Sequence, residues 1–183
     1  MKTAFKEWAA VCFALGRGSS ILILRRGGIA DPDGAFHPGQ GTFLLFPTQF
    51  HQSAGQLADA VPANSLATPA DDEVVISLCA TTAGAWPVPD AASLARLSGL
   101  HSWSDAVAAE RLERKGEGPL WAVAVRVSAL ERPVTLKLRP AYRGCRSWIE
   151  LEEDIEVARA GLVLTDTAFD AELRRVTAAL LGH

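Results

Sequence analysis

Apolar positions recur along this chain at two periods, and the switching between them predicts an α/β protein. Phe5, Trp8, Cys12 and Leu15 stand three and four residues apart, which is one face of a helix over 4–15. Gly16 and Gly18 follow, and glycine accepts the left-handed conformation that ends helices. Residues 19–26, Ser-Ser-Ile-Leu-Ile-Leu-Arg-Arg, read as a strand that stops at Gly27-Gly28. Turn residues then crowd 29–41, with Asp31-Pro32-Asp33-Gly34 and His37-Pro38-Gly39, and predict a long loop. Residues 42–46 read as a short buried strand ended by Pro47, with Thr48 capping a short helix that runs through His51.

The second half continues the pattern. Residues 61–72 read as another loop, and 74–80 as a continuous apolar strand covered on both faces. Helices are predicted over 90–98 and 102–114, the latter opened by a Ser102–Asp105 capping box. From 120 to 130 the chain alternates, with Trp121, Val123, Val125 and Val127 on one face and Arg126 and Ser128 on the other. Residues 133–138, flanked by Pro133 and Pro140, read as an edge strand. A last helix starts near Thr167, with Phe169, Leu173, Val176 and Leu180 as its apolar stripe. The fold class expected is α/β of the α+β type: a mixed sheet flanked by helices, formed as one domain over 1–183. The 61–72 loop is the best internal boundary, but the residues before it are too few for an independent core.

Composition narrows the function. Of 183 residues 49% are hydrophobic and the net charge is −3, which argues against a whole-protein grip on nucleic acid and leaves only a local basic patch to supply one. Such a patch exists: Arg132, Lys137, Arg139, Arg143 and Arg146 occur with no acid among them. Directly after it come Glu150, Glu152, Glu153, Asp154 and Glu156 with no base, and pairing of the two blocks within the monomer is expected. No apolar run approaches membrane-spanning length and no signal peptide is seen, so a cytoplasmic protein without a membrane partner is expected. Cys12, Cys79 and Cys145 are odd in number and far apart, which indicates neither a disulfide framework nor a thiolate zinc site. There is no phosphate-binding P-loop, no dinucleotide fingerprint, no nucleophile elbow and no HExxH. The four histidines lack ligand spacing, so no metal and no cofactor are expected.

Three segments concentrate chemistry-bearing residues. In the first, Gly27 and Gly28 expose backbone amides suited to an anion, and Arg25 and Arg26 leave the strand on opposite faces. In the second, His51 supplies a titratable group and Gln52 an amide. In the third, Tyr142 and Trp148 are candidates to stack a base while Arg143 and Arg146 meet phosphate. Glu150 and Glu152 fall on one face of a strand and are, with His51, the candidate catalytic groups for a hydrolase or nuclease. Packing explains each of these residues too, as turns and buried aromatics.

Four motifs in order carry a resemblance: Phe5-Lys6-Glu7-Trp8, Leu24-Arg25-Arg26-Gly27-Gly28-Ile29, Leu45-Phe46-Pro47-Thr48 with His51-Gln52, and Gly144-Cys145-Arg146-Ser147-Trp148. Together they resemble the bacterial domain-of-unknown-function family 1802, over most of the chain. The resemblance implies company with restriction–modification components, and hence nucleic acid or a restriction-system protein as partner. The expected function is therefore a nucleic-acid-associated accessory or binding module. A small hydrolase using His51 with carboxylates and a protein-interaction domain remain as alternatives.

Overall fold

The chain opens with a strand, not a helix. β1 (Thr3–Trp8) is buried from Ala4 to Trp8. It lies inside the sheet, parallel to β3 (Thr42–Thr48) on one side and antiparallel to β6 (Trp148–Glu150) on the other. A strand covered on both faces shows no two-residue alternation, so the spacing of Phe5, Trp8, Cys12 and Leu15 runs across an element boundary. The helical half of that expectation is α1 (Ala9–Arg17). Gly18 ends it at φ 70°, donating its N–H to the Leu15 carbonyl at 3.1 Å.

The computed structural model describes residues 1–26, 38–39, 41–48, 72–114 and 118–182. The remaining strands among them are β2 (Leu22–Arg25), β4 (Glu73–Val88), β5 (Leu120–Lys137) and β7 (Arg159–Leu162). Their order in the sheet is β2-β5-β4-β3-β1-β6, with β7 added to β5. The expected 74–80 strand is the first half of β4, and 120–130 is the first part of β5. The separate edge strand expected over 133–138 is instead the far end of β5. Register slips between Ile76 and Leu78, where β5 has extra residues opposite β4, and Pro133 sits in that bulge, where it removes no ladder bond. Pro47 likewise does not end β3: beyond Leu44 no β4 partner is paired, and Pro47 stands opposite Glu7 of β1.

Four α-helices occur among the described residues, α1 being followed by α2 (Ala91–Arg96), α3 (Asp105–Glu113) and α4 (Asp166–Leu181). The α3 cap is Ser104, which accepts from Val107 N–H, rather than Ser102; the Asp105 carboxylate instead takes the Ser98 hydroxyl. Thr165 caps α4, which buries Phe169 and Val176. None of these helices is long and apolar enough to cross a membrane. The expected short helix beyond Thr48 and the 61–71 stretch lie outside the described residues. So does the loop over 29–41, apart from Pro38, Gly39 and Gly41.

Apolar clusters cover the sheet on both faces. One is centred on Phe5, Ile23, Phe43 and Val125, the other on Leu44, Phe46, Ile76 and Ile149. Full burial of each such side chain stabilises the fold by roughly 1.5–3 kcal/mol. The sheet curls so that its two ends meet. β2 and β6 are the terminal strands of the hydrogen-bonded order. Even so, Arg25 Nε donates to Ser147 Oγ at 3.0 Å, and its guanidinium lies 5.4 Å from the centre of the Phe5 ring. Ile23 of β2 and Trp148 of β6 line the same small apolar cavity.

Candidate functional site

The seam where the sheet closes is built from Phe5-Lys6-Glu7-Trp8, whose alternate side chains leave β1 on opposite faces. Lys6 is buried, and its Nζ donates to the carbonyls of Tyr142 at 2.8 Å and Gly144 at 2.7 Å. An ammonium taken out of water needs such partners, and here they hold the 142–144 segment against the sheet. Ser147, fully buried, completes the seam: its carbonyl accepts the Lys6 N–H at 2.9 Å and its hydroxyl accepts from Arg25.

Glu7 faces the other way and is 1% exposed. Its Oε1 accepts the Trp8 N–H at 2.7 Å, while Oε2 is buried with no hydrogen-bond partner. Burial pushes the Glu7 pKa up, and the Arg25 charge, the Trp8 N–H and the Arg111 charge oppose the rise. Arg111 of α3 lies over the rings of Trp8 and Trp103, 5.6 and 4.9 Å from their centres. Thr48, the last residue of β3, donates its hydroxyl to the Glu7 carbonyl at 3.2 Å. Cys12 is buried beside the same carbonyl, and burial together with the Glu7 charge raises its thiol pKa well above the usual value. The ends of β1, β2 and β3, the last turn of α3 and the residue before β6 thus meet around one buried carboxylate.

The sequence candidates sort clearly against this geometry. Arg25 is half-buried, with only its Nε engaged by hydrogen bonding. Arg26 donates from Nη1 to the carbonyls of Arg111 at 2.8 Å and Leu112 at 2.6 Å, so it caps the C-terminus of α3, where a cation is favoured. Gly27, Gly28, His51 and Gln52 lie outside the described residues. Arg143 and Arg146 are exposed and have no ion-pair partner among the described residues.

Tyr142 is 2% exposed. Its hydroxyl donates to Glu153 at 3.0 Å and accepts the Glu152 N–H at 2.9 Å, and its ring packs edge-on to Phe46. Trp148 packs edge-to-face against Phe5 and Phe43, at 4.8 and 5.0 Å between centres. The Tyr142 ring belongs to the core and offers no base-stacking face, whereas Trp148 is partly buried and packs against the core from its edge. The expected pairing of Glu150 and Glu152 on one strand face is also corrected, because β6 ends at Glu150. Glu150 accepts the Thr3 hydroxyl, and Glu152 pairs with Arg139 at 3.1 Å.

The opposed charge blocks pair only in part. Arg139 holds Glu152 and Glu153, while Lys137 reaches back to Asp72 and Glu73 at 3.1 and 2.9 Å. Glu7, Arg111 and Ser147 were missed as candidates. The available signal was Lys6-Glu7, two adjacent charges inside an apolar run, which a helix assignment disguises as a solvated face.

Fold and seam together define an α/β protein on a curled mixed sheet whose ends are joined through an arginine and which buries a carboxylate at the join. A family model described as a domain of unknown function (DUF1802) matches residues 4–175, and the chain belongs to that family. Neither the curated proteins nor the solved structures contain a match to it.

Proposed function

We propose that the protein binds a phosphate-bearing ligand, single-stranded nucleic acid foremost, on the surface formed by Arg25, Arg143 and Arg146. The observation that carries this reading is the division of labour within the basic run. Lys137 and Arg139 are neutralised by acids, whereas Arg132, Arg143 and Arg146 are exposed without an acidic partner among the described residues, and of these Arg143 and Arg146 stand beside the seam. Arg146 adjoins Ser147, whose hydroxyl orients Arg25. That bond leaves the outer edge of the Arg25 guanidinium for another partner, and a planar fork held in this way suits a phosphate better than a mobile lysine does.

Three guanidinium contacts on a single strand give a log–log salt slope of roughly −2, about 0.7 per phosphate. The buried Tyr142 adds no stacking, so binding through these arginines is weak and electrostatic. Fluorescence anisotropy of a labelled single-stranded oligonucleotide, titrated at several salt concentrations, tests the reading. Binding at low salt that is lost in Arg143→Ala/Arg146→Ala supports it. Absence of binding at low salt, or binding unchanged in the double variant, refutes it.

A further inference from the structure

Arg143, Gly144, Cys145 and Arg146 are all exposed, and the turn they form is held from beneath by one buried residue. Lys6 of β1 is 8% exposed. Its Nζ donates to the carbonyls of Tyr142 at 2.8 Å and Gly144 at 2.7 Å, and its backbone N–H donates to the Ser147 carbonyl at 2.9 Å. These three carbonyls bracket both arginines: those of Tyr142 and Gly144 stand on either side of Arg143, and those of Gly144 and Ser147 enclose Arg146. Gly144 sits at φ 87°, in the left-handed region that favours glycine. Ser147 extends the arrangement to β2, since its hydroxyl accepts from Arg25 Nε at 3.0 Å.

An exposed turn does not need an ammonium to satisfy it. Water can meet its carbonyls, and taking a charged amine out of water carries a penalty that its partners must offset. An apolar side chain in the same place avoids that penalty. What the lysine adds is a defined shape for the turn. Surface segments without such anchors are mobile, and a ligand that must order mobile side chains binds less tightly for it.

Resting on the phosphate-binding reading above, we infer that Lys6 is a positioning residue for that surface: it fixes the turn so that Arg143 and Arg146 are set for phosphates before the ligand arrives. Lys6 itself touches no phosphate, because its ammonium lies under the turn and is engaged by the turn's own carbonyls. Salt dependence separates the two roles. Loss of one phosphate contact makes the log–log slope shallower by about 0.7, whereas loss of preorganisation weakens binding at an unchanged slope.

Lys6→Met keeps most of the side-chain length and removes the ammonium. Wild type, Lys6→Met and Arg26→Met are compared by anisotropy of the labelled single-stranded oligonucleotide at several salt concentrations. The expected result is binding about tenfold weaker in Lys6→Met at the wild-type slope. Arg26→Met, whose lost hydrogen bonds lie at the end of α3, binds as wild type does. A nitroxide on Cys145, the exposed one of the three cysteines, is expected to be more mobile in Lys6→Met. Unchanged affinity in Lys6→Met, or a nitroxide equally mobile in both proteins, overturns the inference. A shallower slope also overturns it, by assigning a phosphate to Lys6, and an equal loss in Arg26→Met does so by making the effect one of general stability. If Lys6→Met does not fold, Gly144→Ala replaces it: the added Cβ meets nothing within 4 Å, so only backbone strain at φ 87° disturbs the turn. Wild-type affinity in Gly144→Ala then refutes the positioning role. The two proposals fail separately: no binding by wild type removes the phosphate reading and this inference with it, whereas binding that survives Lys6→Met unchanged removes only the role of Lys6.

Discussion

Replacing Glu7 by glutamine separates a carboxylate that burdens the fold from one that supports it. Glu7→Gln retains the side-chain carbonyl that accepts the Trp8 N–H and removes the charge from a side chain that is 1% exposed. An unpaired buried polar group costs about 1–3 kcal/mol, more when charged. The lost attraction to Arg25 and Arg111 and the unpaired amide of the new side chain offset part of that gain. The expected net is a variant more stable than wild type by about 1 kcal/mol at neutral pH, or roughly 2–4 °C in Tm for a chain of this size. The pH dependence has a definite sign. The folded pKa of Glu7 is raised, so in the window between the ordinary carboxylate value and the raised one the native state binds more protons than the unfolded state. Wild-type stability therefore falls as pH rises through that window. Below it Glu7 is protonated in both states, and the gap between variant and wild type closes. Urea unfolding of both proteins from pH 4 to pH 8 reads this directly. A variant less stable than wild type at neutral pH, or a gap that does not narrow on acidification, would show that Glu7 is a structural counter-ion to the two arginines and refute the reasoning.

Three further outcomes follow from the same structure. Arg26→Met removes two charge-assisted bonds to the carbonyls that end α3, with an expected loss of about 1–3 kcal/mol in urea unfolding and no change in oligonucleotide binding. His101 is buried, and burial lowers its pKa against the opposing Asp105 charge and the Trp103 backbone. The unfolded state therefore takes up a proton first as pH falls through about 6.5, and wild type loses stability on acidification there; His101→Gln flattens that part of the stability profile in thermal melts. Gly18→Ala places a Cβ 2.6 Å from Leu164 at a backbone φ of 70°, which lowers stability by about 1 kcal/mol or more in the same melts.

How far the sequence could be read depends on whether an element's burial matches its neighbours along the chain. β2, the start of β4, the start of β5 and α4 were legible because each run of apolar residues stops where its element stops. β1 was not. It passes into α1 without a turn residue, the helix cap at Trp8 makes no side-chain hydrogen bond, and burial on both faces erases the period that identifies a strand. Pro47 and Pro133 misled for a related reason. Proline ends a strand only where a partner needs its N–H; Pro47 has no β4 residue opposite it and Pro133 lies in a bulge, which pairing reveals and sequence does not. Arg25, Arg143 and Arg146 could be singled out by residue type alone. The function of Glu7 as the centre of the seam could not, because it depends on β2 and β6 meeting across a curled sheet.

The four motif segments owe most of their residues to closing that sheet. Phe5, Phe43 and Trp148 interlock their rings across β1, β3 and β6; Lys6 straps the 142–144 segment; Arg26 ends α3; Tyr142 anchors Glu152 and Glu153. Apart from Arg26 Nε, which is buried without a hydrogen-bond partner, packing and hydrogen bonding account for these side chains. Arg25 is shared between the two accounts: its Nε closes the seam and its outer edge faces away from that bond. Glu7 stands apart, since removing its charge would relieve the fold rather than weaken it. A residue type that the native state tolerates at a cost, at the meeting point of three strand ends, is where a functional role is to be sought first.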